Sequence, residues 1–303
     1  MVSDSGMRPS LKRFFEEKSL LIEKILDEHL PREERFPQKI HKAMRYSLFS
    51  GGKRLRPLLV LECCRVCGGD EEAAFPAAAA VEYIHTYSLI HDDLPCMDDD
   101  DLRRGRPTVH KVFGEAMAVL AGDGLLTAAF GALTSIKDSA VLKRVLSELA
   151  KAAGSLGMVG GQTLDITSEQ EIPPETPLEE YVFSIHLLKT ASLIKASCRI
   201  GAMCAYAKGA ELSAITAYGR NIGLAFQICD DILDETGSKE ETGKKTHKDR
   251  EKGKITYPLV FGLERSRSEA ARLIEEAKES LRIFGEKAEI LSSLADFIIS
   301  RTY

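Results

Sequence analysis

Residues 178–207 read LEEYVFSIHLLKTASLIKASCRIGAMCAYA. Apolar and small side chains recur here at three- and four-residue spacing and cover most of the circumference of a helix, with none of the alternation a strand needs. Such a helix must be buried on nearly every side, so other helices are expected to wrap it. Residues 77–91 have the same character and give a second central helix. Outward from these, Leu11, Phe14, Phe15, Ile22, Ile25 and Leu26 mark one face of an amphipathic helix. Helical spacing returns in residues 40–49, 55–67, 112–133, 141–158 and 212–233, and from 270 towards the C-terminus, for about ten helices or more. Gly51-Gly52, Gly68-Gly69, residues 105–107, residues 173–177 and the charged run 236–253 punctuate them. None is long enough for a clear linker, so residues 1–303 are expected to form one all-α domain, a helix bundle.

Composition agrees with this. Hydrophobic residues make up 44% and charged residues 29%, with 11 Pro and no Trp, the balance of a helix-rich globular protein. A formal net charge of -5 excludes the sustained positive field of a generic nucleic-acid or anionic-membrane surface, so an anionic ligand must be gripped locally. Residues 1–18 are polar and mixed in charge, and no stretch approaches ~18 uninterrupted apolar residues, so no membrane span and a cytoplasmic location are expected. The seven cysteines are an odd set without disulfide-framework spacing. Cys63, Cys64 and Cys67 lack a second Cys/His pair at zinc spacing and read as reduced core thiols.

The chemistry concentrates in two acidic clusters. On a helix Gln227, Asp230 and Asp234 share one face, and Asp231 joins Asp234 at its edge. Two carboxylates ~4 Å apart at an effective dielectric near 20 repel by about 4 kcal/mol, so a cation is expected between them. A solvated acidic helix end is the plain alternative. It is weakened because residues 222–229 are nearly all apolar or small and the acids emerge from a buried helix. Oxygen-only ligands favour magnesium or calcium, and carboxylates beside a phosphate-bearing substrate suit magnesium best. The first cluster, His91-Asp92-Asp93-Leu94-Pro95-Cys96-Met97-Asp98, has six aspartates within residues 92–101. In an unbroken helix Asp92 and Asp98 would diverge by ~120°, but Pro95 disfavours a regular helix and a break there returns them to one ion.

Cations flank these acids, in Arg103-Arg104-Gly105-Arg106 and Gly51-Gly52-Lys53-Arg54-Leu55-Arg56, each joining a Gly turn to phosphate donors. Basic blocks beside acidic ones in one chain point to a bound polyphosphate bridged by metal. His85 stands two turns before Asp92 with a drift of only ~20°, so both face one cavity. It is either a phosphate donor or a satisfied core histidine. Lys189 sits in a largely apolar helix and needs an anionic partner, substrate or structural. Lys244 and Lys254 lie in a Gly/Lys segment able to close over a ligand, or simply solvated.

Together Gly51 to Pro57, Asp92 to Asp98 with Arg103-Arg104, Lys189-Thr190, Phe226-Gln227 with Asp230 to Asp234, and Lys254 before Tyr257-Pro258 resemble the trans-prenyl diphosphate synthases over nearly the whole chain. Within that family the nearest likeness is to the bacterial farnesyl diphosphate synthases. The resemblance implies the isoprenoid synthase fold, with helices around a deep central pocket. It implies that Asp92, Asp98 and Asp230, supported by Asp93, Asp231 and Asp234, hold magnesium on an allylic diphosphate. Arg103, Lys189, Thr190, Gln227, Lys244 and Lys254 would contact that diphosphate. Lys53, Arg56, His85 and Arg104 would bind isopentenyl diphosphate at a separate site, and Gln162 and Asp165 would support the first. A homodimer is implied too.

The expected reaction is condensation to farnesyl diphosphate. Tyr87 and Ser88, five and four residues before Asp92, are the implied chain-length positions, although Tyr87 lies ~140° from Asp92 on an ideal helix. The main alternative is a geranylgeranyl diphosphate synthase, which would share every motif. A terpene cyclase usually carries an Asn/Ser/Glu second metal motif where this chain has Asp230 to Asp234, and a non-catalytic diphosphate-binding subunit would bind without releasing diphosphate.

Overall fold

The computed structural model describes residues 9–168, 176–236 and 254–300. Lys244 lies outside them. The chain opens with α1 (Pro9–Glu28), α2 (Gln38–Leu48) and α3 (Leu55–Val66). Of the seam expected in α1, Phe15 is buried and Ile22, Ile25 and Leu26 are no more than 1% exposed. α4 (Phe75–Asp92) starts with Pro76 in its first turn, where the missing N–H costs nothing. It runs through the middle of the bundle against α1, α3, α6 (Glu115–Leu133) and α10 (Ser192–Cys204). α10 is the other central helix, packed on α3, α7 (Ser139–Ala153) and α11 (Gly209–Thr236). Both expected central helices are thus central.

Several expected helices are divided. The run 141–158 breaks at Gly154 to Gly157, separating α7 from α8 (Met158–Ser168). α6 is preceded by a short α5 (Val109–Phe113), the two joined by Gly114 at φ 89°. The run 178–207 is α9 (Leu178–Ile185), a π-helical turn at His186–Ala191, then α10. A π turn adds a residue to the helical circuit and is a frequent mark of functional sites. Here it bears against α8 so closely that a Cβ on Gly161 would lie 2.0 Å from the Lys189 backbone nitrogen.

The chain closes with α12 (Tyr257–Phe261), α13 (Leu263–Ser280), a 3-10 stretch (Leu281–Ala288) and α14 (Glu289–Ser300). Strand structure is confined, among the described residues, to β1 (Leu102–Arg103) and β2 (Arg106–Pro107), an antiparallel hairpin closed by Arg104 and Gly105 at positive φ. Two residues a side are too few to show alternation, so the sequence pattern does not announce it.

α6 is long and apolar enough to cross a membrane on length and composition alone. In this fold its Ala118, Ala121, Leu125 and Ala129 are fully buried, so one face packs into the bundle. Val119 and Leu120 on its outer side are 41% and 53% exposed.

Candidate active site

After Asp92 the chain doubles back. The Asp98 backbone N–H donates to the Asp92 carbonyl at 2.8 Å, Asp99 N–H to Leu94 at 3.1 Å and Asp100 N–H to Asp93 at 3.2 Å. The break at Pro95 therefore returns Asp98 to Asp92, as the sequence requires. Burial pushes the Asp92 carboxyl up to about 6, opposed by the charge of Lys189 and reinforced by Asp98. Asp93 faces the other way. It is 3% exposed and accepts from Arg103 Nε at 2.7 Å and Nη2 at 2.6 Å. In this state Arg103 pins the aspartate loop to the hairpin rather than standing open to a ligand.

On α11, Gln227, Asp230 and Asp234 are part-exposed while Asp231 is buried. Asp231 Oδ2 accepts from His186 Nε2 at 2.9 Å and the Tyr257 N–H at 2.8 Å, and Oδ1 from Gln227 Nε2 at 2.9 Å. Gln227 Oε1 accepts from the Thr190 hydroxyl at 2.6 Å. Asp231 thus ties α11, the π turn and the start of α12 together. Lys189 Nζ lies 2.5 Å from Asp165 on α8, and Lys254 Nζ bridges Asp98 at 3.0 Å and Asp165 at 3.4 Å. Although burial opposes its ionisation, these two ammonium groups hold the Asp165 carboxyl below the ordinary range. The Gln162 Oε1 is buried without a hydrogen-bond partner among the described residues.

The donors fit magnesium. They are oxygens alone, and the Asp92 carboxyl lacks enough neighbouring positive charge to stay acidic once buried. No three His, Cys, Asp or Glu side chains among the described residues form a ready cation cage. Magnesium takes one or two carboxylates plus substrate phosphate and water rather than such a cage.

A second group of cations lines a cavity of about 160 Å³ with Lys53, Arg56, His85, Arg104, Glu82, Phe226 and Phe297 on its walls. Arg54, from the same block, is 3% exposed and spent on Glu82 at 2.9 Å and Glu23 at 2.6 Å, which makes it structural. Arg56 differs. Its Nε is buried without a hydrogen-bond partner among the described residues, and burial lowers it to about 10. Lys53 Nζ lies 4.1 Å from the Phe297 ring centroid. Arg104 donates to the Gly51 carbonyl, and a Cβ on Gly52 would meet its guanidinium at 2.5 Å. Burial, then Arg56 and Arg104, hold the His85 imidazole well below its ordinary value, so it is neutral. Three cations and a neutral donor around one cavity suit it to an anion.

Tyr87 is 7% exposed, its ring edge-on to His91 at 5.8 Å. Burial raises its phenol and the Asp92 charge adds to this, so it lies within electrostatic reach of the acid despite the angle expected on an ideal helix. Ser88 donates to the His85 carbonyl at 2.9 Å, a bond within its own helix. Cys63 meets Cys198 across α3 and α10, all seven cysteines are free, and Cys96 is exposed. Sequence reading passed over His186, Glu82 and the Tyr257 N–H. For His186 the available signal was a polar ring in an apolar helix three residues before Lys189.

Comparison with known proteins shows the family. The family model described as Polyprenyl synthetase matches residues 37–293. The large subunit 1 of a chloroplastic heterodimeric geranylgeranyl pyrophosphate synthase from Arabidopsis thaliana is 50% identical over 94% of this chain and 77% of its own length. Geranylgeranyl pyrophosphate synthase 4 of the same plant is 46% identical over 99% of this chain and 80% of its own. Among solved structures, an FPP/GFPP synthase from Zymomonas mobilis superposes with a TM-score of 0.85 at 40% identity, covering 96% of this chain and 99% of that one. Geranylgeranyl pyrophosphate synthetase from Pyrococcus horikoshii gives 0.86 at 32% identity, covering 96% and 98%. This chain belongs to the polyprenyl synthetase family and is a prenyltransferase of the isoprenoid synthase fold.

Proposed function

We propose that this chain joins isopentenyl diphosphate to an allylic diphosphate, with magnesium held by Asp92, Asp98 and Asp230. The observation that carries the reading is the pair of anion-adapted surfaces in one bundle, an acidic one crossed by Lys189 and Lys254 and a basic one around Arg56 and Arg104. When bound, the metal neutralises charge building on the departing diphosphate. Lys189 and Lys254 add positive charge on the same side by exchanging Asp165 and Asp98 for phosphate oxygens. Lys53, Arg56, His85 and Arg104 hold the second diphosphate, which orients its double bond for attack on the allylic fragment. Apolar walls keep water from that fragment. The proton lost at the end goes to the released diphosphate.

Two product lengths are in play. The buried Tyr87 beside Asp92 favours a floor near fifteen carbons and hence farnesyl diphosphate. The names of several relatives at 45–52% identity weigh for the twenty-carbon geranylgeranyl product instead. Labelled isopentenyl diphosphate with each allylic starter, followed by chromatography of the dephosphorylated products, separates these readings, and absence of any prenyl product would refute both. Tyr87→Ala is expected to shift the product distribution at least one five-carbon step longer. An unchanged distribution would remove Tyr87 from the pocket floor.

A homodimer belongs to the same proposal, supported by the apolar outer side of α6, where Val119 and Leu120 are exposed. So does the cytoplasmic setting expected from the sequence.

A further inference from the structure

Asp231 is buried among three hydrogen-bond donors, none of them lysine or arginine. Its carboxylate only accepts, so the Gln227 amide must turn its NH2 towards Asp231 Oδ1. That leaves Gln227 Oε1 facing Thr190, and the Thr190 hydroxyl must spend its proton there, at 2.6 Å. The Thr190 oxygen then presents lone pairs and no proton to the substrate side, which suits a group carrying positive charge and not a diphosphate oxygen, contrary to the diphosphate contact expected for Thr190. The far end of the chain is held by His186. His186 is 3% exposed, its ring stacked on Tyr257 at 5.7 Å and 26°, and its Nε2 fixes Asp231 Oδ2 from 2.9 Å. Its Nδ1 is buried without a hydrogen-bond partner among the described residues, so its single polar bond is the one to Asp231. The π turn brings His186, Lys189 and Thr190 within one widened circuit.

We propose that His186 is a positioning residue for the transfer step, acting through Asp231 and Gln227 to fix the Thr190 hydroxyl, and that Asp231 serves this relay rather than a metal ion. This rests on the function proposed above. The test is steady-state kinetics of His186→Leu, His186→Gln and Thr190→Val, each checked by thermal melting. His186→Leu should lower kcat about ten- to a hundredfold, the scale of leaving one buried polar group without its partner. Its KM for isopentenyl diphosphate should stay within about twofold, because that anion site is separate. His186→Gln, whose amide nitrogen donates from nearly the same place, should recover most of kcat. Adding His186→Leu to Thr190→Val should cost little beyond Thr190→Val alone, since both disable one element.

An unchanged kcat in His186→Leu overturns the proposal, and so do fully additive losses or a folded His186→Gln as slow as His186→Leu. Should His186→Leu fail to fold, His186→Asn, whose shorter amide cannot donate from the Nε2 position, takes its place in every comparison. A wild-type chain that makes no prenyl product refutes the function itself, whereas an active wild type with these contrary results refutes only the role of His186.

Discussion

Asp92→Asn is expected to lower turnover by about a thousandfold or more, the scale of losing a preorganised charge at a reacting centre, and yet to stabilise the ligand-free protein near neutral pH. Burial and the neighbouring Asp98 place the Asp92 carboxyl at about 6, against an ordinary carboxylate value in the unfolded chain. The folded state therefore binds this proton more tightly than the unfolded state does. Stability is lost as pH rises from about 4 to about 6, and above that the cost of the ionised group is roughly 2–3 kcal/mol. Asn carries no charge at any pH and escapes that cost. The melting temperature of Asp92→Asn should exceed that of the wild type by several degrees near neutral pH, with the gap closing towards about pH 4. A variant that melts lower than wild type at both pH values would show that Asp92 is not a strained carboxylate.

Arg56→Gln should raise the KM for isopentenyl diphosphate roughly thirtyfold or more, since removing one partner of a buried charge pair costs about 2 kcal/mol or more. The kcat at saturation should change little, because the lost contact is made equally before and during the reaction. The Arg56 guanidinium is buried, its Nε has no hydrogen-bond partner among the described residues, and burial lowers it to about 10. Arg54 provides the contrast two residues away. It is bonded to Glu23 and Glu82, so Arg54→Gln should lower the melting temperature. Equal KM changes for both substrates in Arg56→Gln would contradict separate anion sites.

The bundle was legible because two runs, now α4 and α10, are apolar nearly all round, and only burial on all sides accommodates that. Helix ends were less so. Gly154 to Gly157 divides one helical run into α7 and α8, and the periodicity on either side does not reveal it. The return of Asp98 to Asp92 follows from Pro95 and could be read directly. The inward turn of Asp93 and Asp231 could not. Each is aimed by a partner distant in the fold, Arg103 on the hairpin and His186 on the π turn, and spacing along one helix carries no information about either. Arg54 was masked in the same way, sitting in a basic block whose neighbours line a cavity while it closes a buried ion pair with α1 and α4. Lys244 falls outside the described residues.

Under the proposed function, the carboxylates of Asp92, Asp98 and Asp230 work through a divalent cation on a diphosphate leaving group. The most direct measurement is diphosphate release from the wild type with isopentenyl diphosphate and an allylic starter, after chelation and again after magnesium is restored, alongside Asp92→Ala and Asp230→Ala. The account predicts no release in chelator, full recovery with magnesium, and no recovery in either variant. Turnover that persists without divalent cations, or that survives both alanine substitutions, would contradict it.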